Sequence, residues 1–272
     1  MRLYMFEAGI LKSQQQFFTL NQGFGQAFDV PVPFCLIDHP KGKVLFDTGN
    51  ALEVVHDKQN HWGGVLAAYD PVMTEEQWCV NAIKKVGCAP EDISYVVLSH
   101  LHLDHAGAVG HFPNARYVVQ RDELHFAFVP DPYMKAAYIR KDFDKDVDWM
   151  ILEGWDHDGF DLFGDGALKI LFTPGHTPGH QSLLVDLPNS GPMFFAADSC
   201  YTVANLKDGV LPGLMWSAGE TVKSVQRMRH LQDALGVNIV TGHDPESWKS
   251  VKQAPGYYCP VTSLMLDKDG SV

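Results

Sequence analysis

The stretch His100-Leu101-His102-Leu103-Asp104-His105 sets three imidazoles and a carboxylate in six residues, directly after the β-prone run Ile93-Ser94-Tyr95-Val96-Val97-Leu98. A solvated loop has little reason to gather so many metal-binding groups, whereas a divalent-metal site needs that density of neutral nitrogen and anionic oxygen. Further candidates share the same context, each following a strand-like run. They are His176 and His180 in Thr173-Pro174-Gly175-His176-Thr177-Pro178-Gly179-His180, Asp198 after Met193-Phe194-Phe195-Ala196-Ala197, and His243 after Ile239-Val240-Thr241-Gly242. Strand ends that meet at one edge of a sheet deliver sequence-distant residues to one place. Gly175, Gly179 and Gly242 lie beside these histidines, where a residue without Cβ lets the backbone turn sharply and bring a ligand close.

Outward from that cluster, the apolar runs are short and punctuated by turn residues: Phe34 to Ile37, Val44 to Phe46, Tyr95 to Leu98, Tyr117 to Val119, Leu168 to Phe172, Leu183 to Val185, Met193 to Ala197 and Val237 to Val240. Each has the length of a strand, and several are rich in Val, Ile or Phe. Two segments read as helices. Thr74-Glu75-Glu76-Gln77 carries capping-box residues ahead of Trp78, Ile83 and Val86, and Gly87 suits a helix stop. Ser217-Ala218-Gly219-Glu220 repeats the start signal, and Val222, Val225, Met228, Leu231 and Leu235 follow at roughly helical spacing up to Gly236. Strands that outnumber helices, in alternating blocks, predict stacked layers with sheets inside and helices outside. No Pro/Ser-rich linker breaks the composition, so residues 1–272 are expected to form one domain, with functional insertions near 60–71 and 130–148.

The formal net charge of -12, without any cluster of lysines and arginines, disfavours nucleic acid, whose binding rests on phosphate neutralisation. A small, weakly charged substrate fits better. Met1-Arg2-Leu3-Tyr4-Met5-Phe6-Glu7 puts an acid where a secretory signal would continue its apolar core, and no apolar run approaches membrane-spanning length. Cys35, Cys79, Cys88, Cys200 and Cys259 are odd in number and widely spaced, which reads as reduced, buried thiols and a cytoplasmic location. The acidic run from Asp142 to Asp148 reads as a solvated face.

In order and spacing, Ser99-His100-Leu101-His102-Leu103-Asp104-His105-Ala106-Gly107, the segment Thr173 to His180, Asp198 and Thr241-Gly242-His243 resemble the motifs of the metallo-β-lactamase superfamily. Val44-Leu45-Phe46-Asp47-Thr48-Gly49 is similar to that family's early strand and Asp-x-Gly element, so the resemblance covers nearly the whole chain. It implies an αββα sandwich with a dinuclear metal site at one edge of the sheets. Carried over residue by residue, His100, His102 and His176 would hold one ion and Asp104, His105 and His243 the other, with Asp198 bridging them. Asp47 would orient a ligand, and His180 would hydrogen-bond near the site without being a ligand. A finer resemblance, to the N-acyl-homoserine lactonases, rests on Thr74 to Gln77 with Val80-Asn81, on Val119-Gln120-Arg121, on Thr173 to Ser182, and above all on Asp198-Ser199-Cys200-Tyr201-Thr202. In that branch a tyrosine at the place of Tyr201 faces the substrate carbonyl. Cys200, next to it, reads as a buried thiol pointing away.

The resemblance implies a hydrolase that opens the ring of an N-acyl-homoserine lactone, a quorum-sensing signal, by attack of a hydroxide bridging two divalent ions. Tyr201 would stabilise the developing oxyanion, and Asp104 would pass a proton to the leaving alkoxide. Leu103, Leu214 and Met215 are expected to line the substrate pocket, with Phe24, Phe28, Trp62, Val65, Leu66 and Trp216 as further apolar candidates. Nitrogen and carboxylate ligands suit zinc, and iron, cobalt or manganese could occupy the same positions. Exposed aromatics such as Trp62 and Trp216 would leave room for a homodimer. Other dinuclear hydrolases of the same fold, a broad lactonase or esterase or a hydroxyacylglutathione-type thioesterase, are the rival readings, together with a non-catalytic metal-dependent binder. Turnover of any ester excludes the last of these.

Overall fold

The computed structural model describes residues 1–188 and 190–258. Cys259 lies outside the described residues. The first half of the chain builds one sheet from β1 (Arg2–Lys12), β2 (Val30–His39), β3 (Gly42–Phe46), β4 (Asp70–Val72), β5 (Ile93–Val97), β6 (Arg116–Gln120) and β7 (Trp149–Leu152), in the order β4-β1-β2-β3-β5-β6-β7. The second half builds another from β8 (Phe160–Asp161), β9 (Leu168–Phe172), β10 (Gln181–Leu187), β11 (Gly191–Ala197) and β12 (Asn238–Thr241), in the order β12-β11-β10-β9-β8. Each sheet mixes antiparallel hairpins with parallel crossovers. β3, β5, β6 and β7 run parallel, with Phe46 opposite Val97 and Val97 opposite Val118, and β12 is parallel to β11.

Period-two alternation along the strands decides which side chains meet. Leu3, Met5, Ile37, Val44, Phe46, Val97 and Val118 of the first sheet pack against Leu168, Ile170, Leu183, Val185, Met193 and Phe195 of the second. The alternate residues of the first sheet, Tyr4, Phe6, Leu36, Leu45, Val96 and Tyr117, face an outer layer. That layer includes α1 (Glu53–Trp62), α2 (Cys79–Ala82), α3 (Arg121–Phe128) and α4 (Arg140–Phe143). On the other side, Leu171, Phe194 and Ala196 pack on Leu206 of α5 (Val203–Asp208) and on Val225 and Met228 of α6 (Ala218–Leu235). A short α7 (Pro245–Trp248) follows β12. Helices thus enclose two sheets, the αββα layering expected from the sequence.

All eight strand-like runs lie in strands, and α6 begins where Ser217 accepts a hydrogen bond from the Glu220 N–H and ends at Gly236, in the left-handed region at φ 64°. The other expected helix is broken. Thr74 and Gln77 form the capping box, but Trp78, at ψ 133°, separates a 3-10 turn from α2. One regular helix could not bury Trp78, Cys79, Val80, Ala82 and Ile83 together, as this kinked segment does. β1 went unread because both its faces are buried, which leaves no polar alternation to see. Three expectations about exposure also change. Trp62 is buried in α1 and not available to a second copy, Asp142 is buried 2.9 Å from His61 instead of solvated, and the stretch 60–71 is largely helical.

Candidate metal centre

The strand ends place the cluster. His100, His102, Asp104 and His105 lie on the loop leaving β5 of the first sheet, whereas His176, Asp198 and His243 follow β9, β11 and β12 of the second. All seven side chains are buried, and they fall into two groups. His100, His102, His176 and Asp198 offer ligand atoms within 4.8 Å of one another, and Asp104, His105 and His243 do the same. Asp198 touches both groups with different oxygens. Its Oδ2 lies 3.2 Å from His176 Nε2 and 3.5 Å from His100 Nε2, while Oδ1 lies 3.0 Å from His243 Nε2 and 3.2 Å from His105 Nε2.

The outward nitrogens of His176, His243 and His105 are spoken for, and this fixes what their inward ones can do. His176 Nδ1 faces the Leu214 carbonyl at 3.2 Å, and His243 Nδ1 faces the Pro31 carbonyl at 2.8 Å, so both carry the proton and donate it. His105 Nδ1 donates to Asp47 Oδ2 at 2.9 Å. Each bare Nε2 then points into the cluster, where His176 Nε2 sits 2.9 Å from His102 Nδ1 and 3.2 Å from His100 Nε2. Three ring nitrogens gathered at such distances suit a shared cation, to which each neutral ring can offer a lone pair once its other nitrogen holds the proton. Buried His105 Nε2 and Asp198 Oδ1 also lack any hydrogen-bond partner among the described residues. The donor set therefore fits two divalent ions, and this outer ring of carbonyl and carboxylate partners is what orients metal-binding histidines in general.

Charge within the cluster follows the same division. Burial pushes His100 and His102 well below the ordinary histidine value and His176 to about 4, which keeps these rings neutral. Burial alone would raise Asp198, but His105, His243, His176 and His100 overcome it and hold the carboxyl well below its usual range. Against the same desolvation, Asp198, Asp104 and Asp47 favour a positive charge at His105 and lift it well above its ordinary value, a charge that a cation at Nε2 would supply in place of a second proton.

Asp47 adopts φ 59°, a left-handed conformation that Asp tolerates better than most L-residues. In that conformation one carboxylate accepts from the Ser99 N–H at 2.7 Å, the Ser99 hydroxyl at 2.8 Å and His105. His180 holds the second-sheet side, accepting from the Ser199 N–H at 3.2 Å and meeting the Thr173 hydroxyl at 3.0 Å. Two of the neighbouring glycines serve packing as well as turning. A Cβ on Gly179 would sit 2.0 Å from the Glu123 nitrogen of α3, and Gly175, at φ 142°, would meet the Thr221 nitrogen of α6 at 2.5 Å.

A cavity opens onto the cluster. His102, Asp104, Asp198, Tyr201 and His243 form its polar floor, and Leu11, Phe18, Leu103, Ala137 and Leu214 supply apolar wall together with Tyr69. Tyr201 brings its hydroxyl 3.3 Å from His176 Nδ1, and burial keeps that hydroxyl protonated by pushing its pKa well above the usual tyrosine value. Leu103 and Leu214 thus reach the cavity; Met215 does not line it, and its carbonyl faces Tyr133 instead. Cys200 is a buried thiol directed at the Thr202 carbonyl.

Several residues here carried no signal in the sequence. Leu11, Phe18, Tyr69 and Ala137 reach the cavity only through long-range packing. Glu123 of α3 is also among them: its buried carboxylate accepts from the Leu101 N–H at 2.9 Å, the Tyr138 hydroxyl at 3.0 Å and the Thr177 hydroxyl, so it ties the His100–His102 loop to the loop of His176.

Known proteins share this arrangement. Residues 29–243 match the family model of the metallo-beta-lactamase superfamily. The N-acyl homoserine lactonase AttM of Azorhizobium caulinodans is 50% identical over 258 residues, covering 94% of this chain and 98% of that protein. The N-acyl homoserine lactonase of Bacillus cereus is 32% identical over the same shares of the two chains. Among solved structures, an N-acyl homoserine lactone hydrolase with the product N-hexanoyl-L-homoserine at its catalytic metal centre superposes with a TM-score of 0.85 at 31% identity, over 94% of this chain and 98% of that one. No described helix is long and apolar enough to cross a membrane. The chain belongs to the metallo-beta-lactamase superfamily and, within it, to the N-acyl homoserine lactonases.

Proposed function

We propose that this protein hydrolyses the lactone ring of N-acyl homoserine lactones, destroying a quorum-sensing signal. The observation that carries this reading is the shared carboxylate of Asp198, set between two histidine groups at the floor of a cavity that Tyr201 also lines. In this reading His100, His102 and His176 hold one ion, Asp104, His105 and His243 the other, and Asp198 bridges them. Asp47 fixes the ring of His105. We take the ions to be zinc, which suits nitrogen and carboxylate donors; iron, cobalt and manganese accept the same donors, and elemental analysis of native protein decides among them.

When bound, the ion pair lowers the pKa of water towards ~7 and polarises a carbonyl oxygen. The Tyr201 hydroxyl donates to the lactone carbonyl oxygen as negative charge develops there. Water adds to the carbonyl carbon and gives up one proton to Asp104, the acyl–oxygen bond breaks, and the ring oxygen leaves as an alkoxide that takes that proton from Asp104. The product is a hydroxy acid whose carboxyl ionises at neutral pH. Leu11, Phe18, Leu103 and Leu214 keep water from competing in the rest of the cavity.

Metal-loaded protein is expected to acidify a weakly buffered solution of N-hexanoyl homoserine lactone in a pH-indicator assay. No acidification, with both ions present by elemental analysis, would remove the proposal. A glutathione thioesterase is disfavoured because no lysine or arginine lines the described cavity to meet that peptide's carboxylates. We further take the protein to be cytoplasmic, since its four described cysteines are buried free thiols, and able to pair with a second copy through apolar surface around Trp216.

A further inference from the structure

Within the cavity, one polar group is not used by the chemistry above. Tyr69 follows the 3-10 turn Gly63–Ala67 and precedes β4, and its backbone N–H donates to the Val65 carbonyl at 3.0 Å. Its ring is wedged against Phe17 and Phe18, with centroids 5.6 and 6.0 Å away. The side chain lines the same cavity as Asp104, Asp198 and Tyr201. Tyr201 has a protein partner in His176, but among the described residues the Tyr69 hydroxyl makes no hydrogen bond to any protein group. Tyr69 is only partly buried, so its hydroxyl is open to whatever occupies the cavity. Burial and the nearby carboxylates of Asp104 and Asp198 keep this hydroxyl protonated, hence a donor.

An N-acyl homoserine lactone offers two carbonyl oxygens. The ring carbonyl belongs to Tyr201 and the metal centre, which leaves the exocyclic amide carbonyl as the acceptor without a partner. We propose that Tyr69 is a specificity-determining residue whose hydroxyl donates to that amide carbonyl, so that the cavity favours N-acylated lactones over bare ones. This rests on the lactonase reading. A buried acceptor left unpaired is the penalty that a missing donor would impose, and substrates without the amide would not feel it.

The test compares wild-type and Tyr69→Phe proteins, both metal-loaded, on N-hexanoyl homoserine lactone and on γ-caprolactone, which has the ring but no amide. Phenylalanine retains the packing on Phe17 and Phe18, and elemental analysis checks that metal content is unchanged. We expect kcat/KM to fall about ten-fold on the acylated lactone, mostly through KM, and to stay within about two-fold on γ-caprolactone. Equal losses on both substrates, or none on either, overturn the proposal while leaving the lactonase reading intact. A wild-type protein inert towards both lactones overturns that reading and the proposal together.

Discussion

At the scale of single residues, the proposed mechanism divides groups that would hold metal from groups that would act on substrate, and substitution separates the two. In the proposed mechanism Tyr201→Phe removes one donor to the developing oxyanion without touching the cluster's inward nitrogens. Its kcat is expected to fall by roughly 10²-fold with both ions retained by elemental analysis, in line with the loss of an oxyanion donor elsewhere. Unchanged kinetics would take Tyr201 out of the mechanism. His102→Ala is the converse, with metal and activity expected to fall together; a variant keeping both ions would contradict the ligand assignment. The residues in these tests were legible in the sequence because their signals are local, three histidines and an aspartate in six positions and short motifs after strands. Tyr69 and Glu123 were not. Each sits in an unremarkable stretch, and only tertiary packing brings the hydroxyl of the first into the cavity and the carboxylate of the second beneath the metal loops.

Among the elements, α3 has the clearest consequence. Burial pushes Glu123 up to about 7 despite the hydrogen bonds from Thr177, Leu101, Tyr138 and Gly179. An unfolded glutamate titrates near ~4.3, so between roughly pH 4.3 and 7 the folded chain keeps a proton that the unfolded chain has released. Stability from this group is thus complete below that window and is lost as pH rises through it, by on the order of 3 kcal/mol. Denaturant titrations at pH 5 and pH 8 should show that component in the wild type and not in Glu123→Gln. Parallel pH dependences for the two proteins would sink the idea. The elements themselves were partly legible. Short apolar runs announced eight strands, and Ser217 with Gly236 bounded α6. β1 and the kink at Trp78 escaped notice because burial on every side erases the periodicity that sequence reading depends on.

For the whole molecule, the layering followed from block alternation, while the two-sheet division and its register depended on pairings such as Phe46 with Val97 that no local pattern encodes. The net charge of -12 suits a neutral ligand, and a buried pair of divalent ions would counter the negative charge of Asp47, Asp104 and Asp198. Chelation should therefore lower the melting temperature as well as abolish activity, because ions that bind only the folded chain add their binding free energy to its stability. Differential scanning calorimetry with and without chelator checks this, and identical transitions would argue against it. The candidate ligands come from both sheets, four from the loop after β5 and three from the ends of β9, β11 and β12. Ions held there would act as a rivet through the sandwich, spanning halves of the chain that otherwise meet through apolar packing. Heat inactivation of the loaded enzyme would on this account coincide with the sheets parting, because the catalytic centre cannot come apart while the rivet holds, nor survive once it gives.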